Sequence, residues 1–224
     1  IMAYTTIDNP GLFFNTVLYT GDGTSSRNIT GVGFQPDWVW LKQRNTTRNH
    51  ALTDSVRGVN KQIYSNLTSS ESTDSGTVTA FISDGFTVGS DNQANQNSGT
   101  FASWNWLAGG ASSSNSDGDV TSTVSANQTA GFSIATVSNL NSNSFGHGLG
   151  AEPELIIGKR TDNTANWRVY FKGITSGKSL FLNTTGGETT ESSAIASANS
   201  TTITVTGSGN GGTGGTGTAV YYSF

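Results

Sequence analysis

Few acidic side chains in this sequence have a spacing suited to hydrolysis. Glu152 and Glu154 are separated by one residue, so in a strand they would share a face. Glycosidases need two carboxylates that face each other across a cleft. Both glutamates flank Pro153 where an apolar run begins, and the Glu-x-Asp-x-x-Glu pattern of sandwich-type glucanases is absent. We therefore expect a capping or solvent-exposed role for them, and no glycan cleavage.

The other candidate motifs also argue against an enzyme. His50 and His147 are the only histidines, and neither has a second histidine three or four residues away, so no zinc motif is present. No Gly-x-Ser-x-Gly nucleophile elbow occurs. The segment 172–179 resembles a phosphate-binding loop, but only three residues, not four, separate Gly173 from Gly177, which favours a hairpin turn. We predict no catalytic residue and no cofactor.

One segment gathers oxygen ligands of the kind that bind Ca²⁺. Residues 115–119 read Asn-Ser-Asp-Gly-Asp, with two carboxylates and an amide around a glycine. The twelve-residue calcium loop is not completed by a downstream glutamate, so an Asx-type turn is the better interpretation. The absence of cysteine excludes disulfides and thiolate metal sites. We predict no metal site.

Composition excludes two classes of partner. The net charge is -4 and no cluster of Lys and Arg occurs, so the sequence predicts no basic surface that would bind the phosphates of a nucleic acid. No run of about 18 apolar residues is present, so we expect no membrane insertion. Aromatic residues make up 10% of the chain, and the low net charge argues against disorder. This composition favours many short strands with polar outer faces.

The sequence repeats itself. Segments 31–42 and 148–159, which are 117 positions apart, both read Gly-x-Gly-x-x-Pro, then an acid, then an apolar run ending in lysine. Farther along the chain the offset becomes 118, which pairs Trp104 and Trp106 with Tyr222 and Phe224. Because large apolar residues, proline and lysine recur at this same offset, we interpret the chain as two copies of one unit.

The residue patterns of each copy are typical of strands. Residues 16–20 and 100–106 alternate, residues 83–85 form a hairpin turn, and residues 38–41 are apolar on both faces, as in a central strand. No window shows helical periodicity with capping signals. We predict an all-β fold of two tandem antiparallel β-sandwich units of jelly-roll or concanavalin A-like type, with about seven strands each.

The repeat also predicts the domain boundaries. Residues 1–110 form the first β-sandwich repeat, residues 111–123 a connector rich in Ser, Asn and Gly, and residues 124–224 the second repeat. The two copies form either two separate sandwiches or one continuous sandwich with pseudo-twofold symmetry. The sequence leaves both arrangements open.

Tryptophan can stack on sugar rings, so the five tryptophans are candidate binding residues. Trp38, Trp40, Trp104 and Trp106 lie in strand patterns with apolar counterparts in the second copy, so we expect them to fill the core. Trp167 lacks such a counterpart and is the better surface candidate. Loops 91–98 and 207–217 occupy equivalent positions in the two copies. The candidate contacts for a glycan or partner are Trp167, Arg168, Asp91, Asn92 and Asn210.

Several segments resemble modules of tail, fibre and other virion proteins of tailed phages, notably marine cyanophages. In the first copy these are Gly-Phe-Gln-Pro-Asp-Trp-Val-Trp-Leu-Lys at 33–42, Asp-Ser-Val-Arg-Gly at 54–58, 83–89 and Trp-Asn-Trp-Leu-Ala-Gly-Gly at 104–110. In the second copy they are 146–160, 166–170 and 180–184. The likeness covers nearly the whole chain. That family is often labelled concanavalin A-like, which is a likeness of fold and establishes neither sugar binding nor hydrolysis.

The resemblance implies a non-enzymatic virion structural protein, either a capsid decoration or a tail or fibre subunit, on the exterior surface of the particle. Its expected partners are other virion proteins of the capsid or tail and further copies of itself. A glycan-binding module for host attachment, with a host surface glycan as partner, is the alternative.

Overall fold

The structure, a computed structural model, describes residues 7–191, 194–207 and 216–224. The strands are β1 (Phe14–Thr20), β2 (Arg27–Thr30), β3 (Trp38–Gln43), β4 (His50–Asp54), β5 (Lys61–Tyr64), β6 (Ser72–Thr73), β7 (Val78–Ile82), β8 (Gly85–Val88), β9 (Thr100–Trp106), β10 (Ser113–Asn115), β11 (Ser122–Asn127), β12 (Phe132–Ser138), β13 (Ser144–Gly146), β14 (Leu155–Arg160), β15 (Arg168–Phe171), β16 (Lys178–Phe181), β17 (Thr189–Thr190), β18 (Ile195–Ala198), β19 (Thr202–Val205) and β20 (Thr218–Ser223). Helical structure is limited, in these ranges, to a 3-10 turn at Pro10–Leu12 and to α1 (Asn92–Asn95). None of the described helices is long and apolar enough to cross a membrane.

The strands form four antiparallel sheets. In the first half, a large sheet has the order β1-β9-β3-β4-β5-β6 and a small sheet the order β2-β8-β7. In the second half, a large sheet has the order β10-β11-β12-β20-β14-β15-β16-β17 and a small sheet the order β13-β19-β18. The predicted all-β, antiparallel sandwich class is confirmed.

Alternation along the central strands gives each large sheet two apolar faces. In β3, Val39 and Leu41 point to the small sheet of the first half, whereas Trp38 points to the second half. In β20, Tyr221 and Tyr222 divide in the same way between the two faces. The two large sheets therefore pack against each other, and the layers stack in the order small, large, large, small. We call the contact between the large sheets the seam.

The strand order of the two halves corresponds once β10 and β11 are set aside. Side-chain contacts correspond as well. Lys42 Nζ donates to the carbonyl oxygen of the next residue at 2.6 Å, and Lys159, 117 positions later, does the same at 2.5 Å. These contacts agree with the offset read from the sequence, while duplication and a twofold relation between the halves stay predictions.

At one pair of adjacent strands, the large and the small side chain lie on opposite strands in the two halves. Leu41 is paired with Ser103 in β3 and β9, whereas Gly158 is paired with Tyr221 in β14 and β20. A Cβ atom on Gly158 would lie 2.9 Å from the Tyr221 ring, so the large aromatic side chain requires a glycine beside it. In the second half the bulky residue lies on the neighbouring strand, and both cores are filled.

Two expectations about the elements need correction. The described part of residues 1–110 contains nine strands rather than seven, because the short strands β2 and β6 are mostly polar and carry little apolar pattern. The connector 111–123 contains β10, which pairs with β11. It is therefore part of the second large sheet rather than a free linker.

Asp37 fixes the turn by which the chain leaves the first half. This side chain is 1% exposed. Its Oδ2 atom accepts hydrogen bonds from the backbone N–H groups of Ala108 at 2.8 Å and Gly110 at 3.2 Å. Its Oδ1 atom accepts one from Ser55 Oγ at 2.9 Å. The buried carboxylate is thereby satisfied, as a buried charge must be.

A buried charged cluster crosses the seam. Arg57 Nε lies 2.6 Å from Asp54 Oδ2, and Arg57 Nη1 lies 2.9 Å from Glu71 Oε2. The hydroxyl of Tyr222, from the second half, donates to the same Asp54 oxygen at 2.7 Å. The Glu71 backbone N–H donates to the Thr161 carbonyl oxygen at 2.8 Å. Burial alone would lower the pKa of Arg57, but Asp54, Tyr222 and Glu71 raise it by more than burial lowers it. The net pKa is therefore above the usual value, and the guanidinium stays charged.

We expect Arg57→Met to lower the free energy of unfolding by about 3–5 kcal/mol, because it leaves two carboxylates without their buried cation. The matched control is Lys172→Met, which removes an exposed lysine from two glutamates and should cost less than about 1 kcal/mol. Urea unfolding followed by circular dichroism measures both. Equal losses would show that the buried cluster contributes no more than a surface pair.

We expect Trp38→Ala to lower the free energy of unfolding by about 3–5 kcal/mol, since it leaves a cavity at the seam. The control is Leu18→Ala on the same face, where the side chain is 61% exposed. That change should stay within about 0.5 kcal/mol. The same denaturation experiment compares them, and a Trp38→Ala variant as stable as the control would contradict the placement of Trp38 at the centre of the packing.

Candidate functional site

The tryptophans of β3 and β9 lie on one face of the first large sheet. Trp38 is paired with Trp106 and Trp40 with Trp104, and residues two apart in a strand share a face. Trp38 is buried, with its ring centroid 4.2 Å from that of Tyr222. The other three are half-buried, because the second large sheet covers only part of this face. Trp38 fills the core, as expected. Trp40 and Trp106 pack against the same core cluster while remaining half-buried, and Trp104 is half-buried outside it.

The uncovered part of this face is a groove of about 280 Å³ lined by Trp40, His50, Trp104 and Trp106, which we call the tryptophan groove. The Trp40 ring stands edge-on to Trp104, with centroids 6.4 Å apart, and edge-on to His50, with centroids 6.2 Å apart. Trp40 Nε1 donates a hydrogen bond to His50 Nδ1 at 3.2 Å. The rings are therefore held by each other and by the strands that carry them.

A second depression of about 390 Å³ adjoins the tryptophan groove and shares Trp40 and His50 with it. We call it the amide depression. Its remaining lining residues are Ser65 and Asn66 from the first half and Leu182, Asn183, Thr184 and Thr185 from the second. The whole site is therefore built at the junction of the two halves.

Two asparagines in the amide depression make the same contacts 117 positions apart. Asn66 Oδ1 accepts the backbone N–H of His50 at 3.0 Å, and Asn183 Oδ1 accepts that of Trp167 at 2.8 Å. Each asparagine also donates one N–H to the asparagine that precedes this partner, at 2.9 Å in both cases. Since a carboxamide has two N–H donors, each keeps one for a ligand.

His50 is a neutral hydrogen-bonding group in this site. Partial burial lowers its pKa, and the nearby Lys42 ammonium lowers it further. Because Nδ1 accepts from Trp40, the neutral ring carries its hydrogen on Nε2. His50 therefore presents a donor rather than a cation at neutral pH.

The chemistry of the two depressions is stacking and neutral hydrogen bonding. In the described part of the chain, the residues that line them include no Asp, Glu, Lys or Arg, and His50 is the one titratable group. The arrangement is suited to binding.

A family model described as a domain of unknown function (DUF7483) matches residues 9–224. The chain belongs to the DUF7483 family. No curated protein and no solved structure matched it. Both depressions lie within the matched region of this DUF7483 chain.

The structure overturns the surface role expected for Trp167 and Arg168. Trp167 is fully buried at the seam, and its Nε1 atom donates to the carbonyl oxygen of Tyr64 at 2.8 Å. Arg168 is 4% exposed, with its guanidinium near Glu191 and over the ring of Phe181. Neither side chain can contact a glycan or a partner, because both are used in packing between strands of the DUF7483 fold.

The loop 91–98 is mostly structural. Asp91 caps α1 by accepting the backbone N–H of Gln93 at 2.6 Å. Asn95 is buried and donates to Asp22 at 3.0 Å. Asn92 is exposed and lines neither depression, so its role in contacts stays a prediction. Asn210 and most of loop 207–217 lie outside the described residues.

The candidates for hydrolysis and phosphate binding have ordinary structural roles. Glu152 and Glu154 lie at the surface, both within 3.4 Å of Lys172 Nζ, as expected for solvent-exposed carboxylates. In the segment 172–179, residues 172–177 connect β15 to β16 and the last two begin β16; the two strands pair antiparallel, which confirms the predicted hairpin.

The calcium candidate is a turn. The backbone N–H of Asp117 donates to Asn115 Oδ1 at 2.8 Å, which is the expected Asx-type contact. Over the ranges that the structure covers, no group of three or more His, Asp or Glu side chains could hold a metal ion.

Trp40 and Trp104 were missed as surface residues because their strand pattern resembles that of buried positions. A signal was present in the sequence of β1, the edge strand beside β9. Phe14 and Leu18 are exposed on the same face of the sheet, and Thr16 between them is polar. Along this face of β1, apolar residues alternate with threonines, which is a weaker apolar pattern than that of a fully covered face.

His147 is a buried histidine outside the site, and it links stability to pH. Its Nε2 atom contacts the carbonyl oxygen of Asn199 at 3.1 Å, and Nδ1 accepts the backbone N–H of Leu149 at 3.3 Å. Burial lowers its pKa, although Asn199 and Asp117 oppose this. The folded chain therefore binds fewer protons than the unfolded chain, whose histidines titrate near pH 6.5.

We expect the free energy of unfolding to be highest above pH 6.5 and to fall as the pH is lowered below it. His50 contributes in the same direction, since its pKa is also lowered. Urea unfolding at steps between pH 7.5 and pH 5 measures the slope, and His147→Gln should reduce it. An unchanged slope in this variant would show that His147 does not cause the loss.

Proposed function

We propose that this chain is a non-enzymatic structural subunit on the exterior of a tailed-phage particle, as a capsid decoration or a part of the tail or a fibre. The observation that carries the proposal is the resemblance of both halves, over nearly the whole chain, to modules of such virion proteins. The fold supports it, because packed sandwiches of short paired strands resist aggregation at the high local concentration of a particle surface.

The non-enzymatic part of the proposal is supported by the chemistry of the depressions. Their lining in the described ranges holds one titratable group, and that group already accepts a hydrogen bond from Trp40. The surface glutamates near Lys172 line neither depression. We propose no cofactor and no catalytic residue.

The proposed partners are other virion proteins and further copies of this chain. Strand β1 supports contacts of this kind, because it is an edge strand of its sheet and exposes Phe14 and Leu18. Edge strands and exposed apolar side chains are features by which subunits associate.

Purified particles test the location. We expect the protein to be accessible to an antibody on intact particles and to occupy a repeated position on the head, tail or fibre in low-resolution images. The control is an internal capsid protein, which should bind its antibody only after the particles are opened. Failure to find the chain in purified particles, or accessibility only after opening, would refute the proposal.

Glycan binding in host attachment is the second candidate function. The specific observation in its favour is the tryptophan groove with the amide depression beside it, since aromatic side chains next to neutral hydrogen-bonding groups are typical of sites for small polar ligands. The two functions are compatible, because a subunit on the particle exterior can also contact the host.

A further inference from the structure

We infer that the tryptophan groove and the amide depression together form one binding site for an uncharged saccharide. The inference rests on the glycan-binding function proposed above and specifies its site and ligand class. Sugar rings stack through their C–H faces on Trp40 and Trp104. Ring hydroxyls bond to the neutral polar groups contributed by both halves.

The exposed tryptophans are more than the packing of the fold requires. Two of their counterparts in the second half are buried at the seam, Ile157 for Trp40 and Tyr222 for Trp104. Phe224, the counterpart of Trp106, is half-buried as Trp106 is. Trp40 and Trp104 are larger than these two buried counterparts, yet they are half-buried. Apolar surface left in water is unfavourable, so three half-buried indole rings gathered in one groove point to a ligand.

The shape of the site favours a small ligand over a flat protein surface. Trp40 and Trp104 stand edge-on to each other, which makes a concave groove rather than a flat patch. The two depressions, of about 280 and 390 Å³, share Trp40 and His50, so a short oligosaccharide could occupy both. Their sizes are close to the lower end of the roughly 300–1,000 Å³ range of small-molecule sites.

The neutral lining selects against a charged sugar. A carboxylated or sulfated saccharide is held best by Arg or Lys, which can form charge-assisted hydrogen bonds. Lys42 is the cation nearest in the sheet, paired with His50, but its Nζ atom already donates to the carbonyl oxygens of Gln43 and Thr46. The residues that remain to bond a ligand are neutral.

The donors available to a ligand lie on both halves. His50 contributes its Nε2 hydrogen, and Asn66 and Asn183 each contribute the N–H that their structural hydrogen bonds leave unused. The exposed hydroxyls of Thr184 and Thr185 extend this row from the second half. Because stacking groups come from the first half and several donors from the second, the ligand should contact both.

The test is binding of the full chain to neutral oligosaccharides of glucose, galactose, mannose and N-acetylglucosamine, with sialylated and sulfated glycans beside them. Isothermal titration and the fluorescence of the exposed tryptophans report binding. We expect one neutral class to bind, and Trp104→Ala to weaken it at least about tenfold, with partial rescue by Trp104→Phe. Thr184→Val should weaken it about threefold to tenfold, since it removes one hydrogen bond without disturbing the fold.

The matched control is Thr123→Val, an exposed threonine of β11 that lines neither depression, which should leave affinity unchanged. Circular dichroism and the unfolding midpoint establish that every variant is folded. Affinity that is unchanged in folded Trp104→Ala and in Thr184→Val would overturn the site while the glycan-binding function stands.

Two other results overturn the ligand itself. Preference for the sialylated or sulfated glycans would contradict an uncharged ligand. Absence of binding to the entire panel, combined with self-association that Trp104→Ala abolishes, would make the groove an interface between copies and overturn glycan binding as well. The location on the particle is decided by the separate experiment with purified virions.

Discussion

The stacking of Trp38 across the seam is the contact on which the rest of the structure depends. Its ring lies nearly parallel to those of Tyr222 and Phe132, with centroids 4.2 and 5.7 Å away. Its indole N–H is buried without an acceptor among the described residues, which costs about 1–3 kcal/mol. Burial and stacking of three aromatic rings must exceed that cost. This contact joins the second strand layer to the third and makes two sandwiches one body.

The same seam determines what stays uncovered. Because the large sheets overlap at Trp38, the end of β3 and β9 that carries Trp40 and Trp104 projects past the second sheet. The overlap also brings Leu182 and its neighbours beside Ser65, while the Trp167 indole bonds the carbonyl oxygen of the adjacent residue, Tyr64. The groove is therefore a consequence of packing between halves, and it is as rigid as the strands that form it.

Period-two patterns in the sequence predicted the all-β class and the central position of β3, whose residues are apolar on both faces. They could not predict which part of a face another sheet covers. Trp167, expected at the surface, is buried, and Trp40, expected in the core, is half-buried at a groove, since exposure depends on the offset between sheets. The cluster of Arg57 with Tyr222 was equally out of reach, because the two residues are 165 positions apart and their contact exists only after the halves have packed.

Equivalent positions in the two halves have different structural roles. Tyr222 is needed at the seam for its ring and for the hydroxyl that bonds Asp54, whereas Trp104, its counterpart, has no partner sheet above it. Two halves that covered each other fully would leave no aromatic surface for a ligand. Because the second large sheet covers only part of this face, tryptophans that would otherwise lie in the core line a groove instead. This partial cover also explains why the groove and the depression beside it contain residues of both halves.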